Sequence, residues 1–528
     1  MARRGKASLL ALTVAYAVAG ATYAADAVIE PVERAAPLAL AARADNADKV
    51  RELLATKPLP DVNQRTSDGT SALQWAVYHN DVDLIDRLLA AGADVNVKND
   101  YGATAMSEAA VIGNVAVLRK LLSASADVES ANADGQTALM TIARTSNVEA
   151  ARLLISRGAK VNAVEQWHGQ TPLMWAAAES QPAMLRLLIE HHAQLDARSK
   201  VNDWERQVTA EPRMQARPSG GFTALLYAAR KGCLECAQIL VKAGADKNLA
   251  DPDGVSPMLL AVLNFNFDVA AFLLQQHASV DKWDWWGRTP LYSVVDLNTL
   301  PTGGRADRPS LDKTSGVQLV QMMLEAGANP NLQLKLFPPY RSLRDDRGAD
   351  SLLTIGTTPL VRAAKAGDVP VMRLLIAHGA NLELPTINGV TPLMAAAGNG
   401  SSAIDTRGRY KTEPQATEAI DVLLEAGAKI NARDGSGQTA LHGAAGWGWN
   451  SVVKTLAAHN ADLMMKDVQG RTAADIAQGS SGGASGRSSS QPHPETEALL
   501  RQLMAGTGAP VARNSSPTKT DASTTPAE

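Results

Sequence analysis

The chain is 528 residues long, 45% hydrophobic and 20% charged, so it can bury a large core and is no disordered polypeptide. Its 51 basic residues against 54 acidic ones leave a formal charge of −3, without the basic excess that a general nucleic-acid binder needs to displace counterions. Two cysteines exclude a disulfide framework and a multi-cysteine zinc domain, and 4% aromatics mean a core of Ala, Leu, Val, Ile and Met.

At the start, Arg3, Arg4 and Lys6 precede an apolar run from Leu9 to Ala19 and small residues around Ala24. Residues 1–25 thus have the tripartite pattern of a secretory signal peptide, with Thr22-Tyr23-Ala24 an acceptable cleavage site. The run is short for a membrane span of about 20 residues. The expectation is a cleaved leader and a periplasmic or secreted product with no stable membrane insertion.

From Ala36 onward one motif recurs. Gly69-Thr-Ser-Ala-Leu returns in variant form at Gly102, Gly135, Gly169, Gly221, Gly254, Gly287, Gly356, Gly389, Gly437 and Gly470. Most steps are 33 residues, and the long ones equal that period plus an insertion. With a degenerate first copy at Ala36–Ala42, about twelve units follow one another. In each, a turn such as Asp251-Pro252-Asp253-Gly254 leads to Ser256-Pro257 or Thr289-Pro290, where a hydroxyl caps a short helix and Pro sits in its first turn. A second helix carries paired apolar residues (Leu88/Leu89, Leu121/Leu122, Leu374/Leu375) and ends in Gly-Ala at Gly92, Gly158 and Gly427, where glycine supplies the left-handed terminating conformation. Helices this short need neighbours to bury their apolar faces.

These residues resemble the ankyrin repeat, whose Thr-Pro-Leu-His-x-Ala-Ala helix start and Leu-Leu-x-x-Gly-Ala end are matched throughout. Thr439-Ala440-Leu441-His442-Gly443-Ala444-Ala445 carries the family's His, which Gln74, Met174, Tyr292, Val361 and Met394 replace elsewhere. The resemblance covers residues 36–505. It implies an all-α repeat solenoid of about twelve helix pairs with short β-hairpin fingers, and a protein-binding module without catalysis of its own. We expect a monomer that binds protein partners and no nucleic acid, with no cofactor and no metal.

Five insertions break the period. Two, 200–218 and 333–355, fall between repeats where the fingers sit; three, 298–316, 400–415 and 478–493, fall between paired helices. The last is Gly/Ser-rich and reads as a flexible loop, and residues 506–528 read as a disordered tail. The finger insertions carry Trp204, Arg206, Arg213 and Arg217 in one and Phe337, Tyr340, Arg341 and Arg344 in the other, the composition of an interface. Insertion in a loop is also cheap, and that is the plain alternative.

Cys233-Leu234-Glu235-Cys236 opens a second helix. The family pattern there is Gly-His-x-Glu-Val, so an ordinary packing role is the first reading and a structural disulfide the alternative. His192 and His277 replace the terminating glycine and His442 is the family's structural histidine, so no metal site is expected. Gly479-Ser480-Ser481-Gly482-Gly483 has the form G-x-S-x-G but lies in a Gly/Ser run rather than a strand-to-helix turn, so no catalytic residue is assigned.

Trp285 and Trp286 fill the two positions before Gly287, as Trp167 and His168 do before Gly169. On solvent-facing tips they would expose the large apolar area that marks an interaction site; packing against the neighbouring insertions is the alternative. The partner-binding residues expected are Trp167, Gln170, Trp204, Phe222, Arg230, Lys231, Trp285, Trp286, Arg288, Phe337, Tyr340 and Lys365. Trp75, Trp175 and Tyr227 share one first-helix position and read as packing. The expected function is an exported protein–protein interaction scaffold using its concave face and finger tips. The alternatives are an enzyme with a site built from the insertions, and a secreted effector.

Overall fold

The computed structural model describes residues 36–210, 213–299, 312–336, 352, 354–401, 411–479 and 491–506, and the side chains of 202–217 lie outside that description. The leader-like segment 1–25, the tail after Gly506, and both Phe337 and Tyr340 fall outside the described residues. Among the described residues twelve helix pairs follow one another, from Pro37–Arg43 with Ala47–Leu54 to Ala473–Gln478 with Pro494–Gly506. First helices pack on first helices of the next pair and second on second, which gives two layers. The architecture is an all-α repeat solenoid. No helix among the described residues is long and apolar enough to cross a membrane.

The first helices start where hydroxyls sit. Ser71, Thr104 and Thr137 accept from the backbone N–H three residues on, and Thr171, Thr289 and Thr358 do so ahead of a proline at the first helical position. The hydroxyl satisfies a donor that the helix start leaves unpaired, and proline has no N–H to satisfy. Second helices close on left-handed residues, Gly158 at φ +95° and His192 and His277 at φ +64° and +58°. One continuous apolar core runs from Ala36 to Met504. Alanines such as Ala76, Ala109, Ala143 and Ala177 are fully buried in it, small enough to let adjacent first helices approach closely.

Most fingers are built around one acidic or amide side chain, and Thr386 takes that place in one of them. Asp251 Oδ1 accepts from Asp253 and Val255 N–H, both at 2.9 Å, and Asp467 Oδ1 from Gln469 and Arg471, also at 2.9 Å. Neighbouring fingers are tied through their backbones, Asp100 N–H donating to Asp68 O (3.1 Å), Trp285 to Asp253 (2.8 Å) and Val468 to Ser436 (3.0 Å). The finger between the fifth and sixth pairs carries one of the insertions. There β1 (Val201–Ala210) and β2 (Arg213–Gly220) pair antiparallel, with an irregularity between Asn202 and Arg206.

At two places the structure takes the alternative reading. Cys233 and Cys236 form a disulfide across the first turn of the helix Leu234–Ala243, with Cys236 fully buried, so the packing-only reading gives way to a covalent staple. Trp286 is 1% exposed and packs with Leu336, while its neighbour Trp285 is 48% exposed. Both sit in the turn Asp284–Gly287, closed by Gly287 N–H on Asp284 O at 2.9 Å, and Leu336 of the following segment covers Trp286, so the two tip positions do not share an environment.

Candidate partner-binding site

The fingers and first helices of the sixth to eighth repeats line a half-open pocket of about 370 Å³ at the foot of the long hairpin. Its walls include Gly220 of β2, Phe222, Tyr227, Arg230, Asp251, Asp253, Leu260, Leu263, Trp286 and Arg288. Tyr227 and Arg230 are three residues apart on the helix Ala224–Lys231 and so share a face. The Arg230 guanidinium carbon lies 5.2 Å from the Phe222 ring centre and 5.0 Å from that of Tyr227, whose rings meet edge to face at 5.4 Å. On the facing side Asp284 organises the finger. Its Oδ1 accepts from Trp286 N–H (3.0 Å) and Arg288 N–H (2.9 Å), and its Oδ2 accepts from Arg288 Nε (2.7 Å). Arg288 is thereby laid over the Trp286 ring at 5.0 Å. Each guanidinium rests on an aromatic face, an attraction of about 0.5–2 kcal/mol that depends on how far water is excluded.

Of the residues expected to bind partners, the structure gathers Phe222, Arg230, Trp286 and Arg288 around this pocket. Gln170 reaches it indirectly, donating from Nε2 to the Tyr227 hydroxyl at 2.6 Å. Trp285 stands outside it on the finger tip, and Lys231 is exposed at the end of its helix. Trp167 is farther along the array and 61% exposed; the buried carboxylate of Glu165 accepts its N–H at 2.7 Å and holds that tip. Trp283, also exposed, has Lys335 Nζ 3.2 Å above its ring. Trp204 lies on β1 with its side chain outside the description. Lys365 is half-buried on another first helix.

A second polar cluster was not legible from motifs. Arg362 is buried and pairs with Asp296 at 2.5 Å, and Asn298 donates to Asp368. Close by in sequence order, Lys411 Nζ donates to Ala395 O (2.6 Å) and Lys365 O (2.9 Å), 5.6 Å from the Trp449 ring centre. Burial, helped by the charge of Lys365, pushes the Lys411 amine down to about 7. These side chains belong to positions that the repeat leaves variable, so only their burial marks them. No group of three or more His, Cys, Asp or Glu among the described residues is placed to hold a metal ion.

The family model for ankyrin repeats in three copies matches residues 12–99, 38–132, 106–199, 225–300 and 313–405, and two further ankyrin models match 423–477 and 388–435. The chain belongs to the ankyrin-repeat family. Among curated relatives, it is 27% identical over 254 residues to the Danio rerio protein named as palmitoyltransferase ZDHHC13, covering 44% of this chain and 34% of that one. It is 29% identical over 280 residues to the B-cell lymphoma 3 protein homolog of Mus musculus, covering 47% and 55%. To human inversin it is 26% identical over 242 residues, covering 45% and 18%. This ankyrin chain therefore spans from under a fifth to about half the length of these relatives.

Proposed function

We propose that this ankyrin chain is an exported scaffold that holds partner proteins through its concave face and finger tips, centred on the sixth to eighth repeats. The observation that carries the reading is the coincidence, in one stretch of the array, of exposed Trp283 and Trp285 with a pocket of arginines seated on aromatic rings. Exposed Trp and preorganised Arg are the residue types that dominate binding energy at interfaces. Family membership supports the scaffold role, and fold alone never fixes a partner. The leader-like segment supports export, as does the disulfide, since such bonds persist in oxidising compartments.

Full-length protein with a C-terminal tag, recovered from the periplasm or medium, should begin near residue 25 by N-terminal sequencing. Cross-linked partner recovery should fall about tenfold or more for Trp285→Ala combined with Trp167→Ala, with unchanged thermal melting. Retention of the leader would remove the export reading. Undiminished recovery would remove the finger tips from the interface.

A further inference from the structure

The pocket at the foot of the long hairpin contains more hydrogen-bond donors than the fold uses. Trp286 is buried to 1% exposure, and its indole N–H has no partner among the described residues, although a buried donor normally finds one. The same residue lines the pocket, as do the guanidinium groups of Arg230 and Arg288. Asp284 engages Arg288 through Nε, and the ring contacts fix where both guanidinium groups lie. On the acceptor side, Asp251 already uses Oδ1 for two backbone N–H groups of its own finger. The aromatic faces are covered by arginine, so they do not offer a platform for stacking a ring. Besides these N–H donors the lining holds the acids Asp251 and Asp253, both with partners in the fold, and the apolar side chains of Val255, Leu260 and Leu263.

We propose that this pocket receives a carboxylate carried on an apolar stem, supplied by a partner polypeptide as its C-terminal group or a glutamate side chain. An oxyanion accepts from several N–H donors at once, guanidinium groups match its planar geometry, and the indole N–H gains the acceptor it lacks. A volume of about 370 Å³ holds one terminal residue with its carboxylate, at the small end of ligand pockets. The proposal rests on the scaffold reading and names the chemistry that anchors the partner.

The test uses full-length protein and four probes: N-acetyl-L-phenylalanine, its amide, the α-amide of N-acetyl-L-glutamate, and inorganic phosphate. N-acetyl-L-phenylalanine or the glutamate probe should bind at about millimolar strength by ligand-observed NMR, at least tenfold tighter than the neutral amide; the tighter of the two acids names the source. Arg230→Gln should weaken the acid about tenfold and leave the amide unchanged. Trp286→Phe keeps an aromatic ring beside Arg288 while removing the N–H and part of the indole's bulk, and should weaken the acid about threefold to tenfold with the neutral amide unchanged. Equal binding of acid and amide overturns the proposal, as does insensitivity to both variants or phosphate binding as tightly as either acid. If the probes fail while Trp285→Ala still abolishes partner recovery, the pocket assignment falls and the scaffold reading stands. If the probes bind while partner recovery ignores the tips, the reverse holds.

Discussion

Lys411 holds its amine between the carbonyls of Lys365 and Ala395, at the ends of two first helices, and shares that burial with the face of Trp449. The carbonyls satisfy two of its hydrogens, but removal from water disfavours the charged form and brings the amine down to about 7. Below that pH the amine is protonated in folded and unfolded chains alike. Between about 7 and the ordinary value near 10.4 the unfolded chain keeps the proton and the folded chain releases it, so stability rises with pH across that window. The slope is at most about 1.4 kcal/mol per pH unit. Intrinsic-rate-corrected hydrogen exchange should show the helices Pro392–Ala397 and Glu413–Glu425 gaining protection from pH 7 to 9, and Lys411→Met should flatten that gain. A flat profile in the wild-type protein would show that the amine titrates normally. The burial of Lys411 could not be read from the sequence, and that of Trp286 was only one of two open readings. Both depend on what an adjacent element places over the side chain, and periodicity locates elements without saying what covers them.

The elements themselves were legible because the same local chemistry is written in every repeat. Outside the degenerate first repeat, first helices start at Ser or Thr, and second helices such as Val82–Ala90 and Val148–Ser156 end at a glycine or a residue able to take its conformation. The replacement of the family histidine is more specific than a change of packing. His442 Nδ1 accepts from Thr439 N–H at 3.1 Å and Nε2 lies 3.3 Å from Arg471 O of the next repeat, so the ring links cap and neighbour. Gln74 does the same with an amide: its Oε1 accepts from Ser71 N–H (2.8 Å) and its Nε2 donates to Ala103 O (2.7 Å). Burial pushes the His442 imidazole below its usual value, which keeps it neutral and able to perform both roles. Finger glycines are constrained twice over. Gly287 has φ +82°, and a Cβ there would sit 2.7 Å from Lys335 N, whereas Gly92 has φ +90° with open space around it. Gly92→Ala should cost only the left-handed strain, about 1–2 kcal/mol. Gly287→Ala adds a collision with the backbone that pairs to Trp286 O, so its loss in chemical denaturation should be visibly larger. Equal losses would mean that the tie between neighbouring fingers yields freely.

At the scale of the whole molecule, a period of 33 residues converts a length that suggests several domains into a single array. Each repeat touches only its neighbours, so stability is a sum of repeat terms and interface terms, and the ends set where unfolding begins. The last helix, Pro494–Gly506, buries Leu500 and Met504, and Thr496 Oγ1 donates to Asn450 Oδ1 at 2.7 Å. It lies against both Ala473–Gln478 and Asn450–Ala458, so it closes the core at that end. The six-residue helix Ala473–Gln478 is far too short to persist without that cover. A chain ending at Gly479 should therefore lose exchange protection throughout residues 473–478 and partly in 440–458, where Asn450 loses its bond to Thr496. The burial removed at Leu500 alone corresponds to about 1.5–3 kcal/mol. Protection in the helices from Pro37 to Glu190 should be unchanged, because nothing in that stretch touches the removed helix. Loss of protection along the whole chain would instead show the array folding as one cooperative unit, with interface terms much larger than the short, alanine-lined contacts between its helices provide.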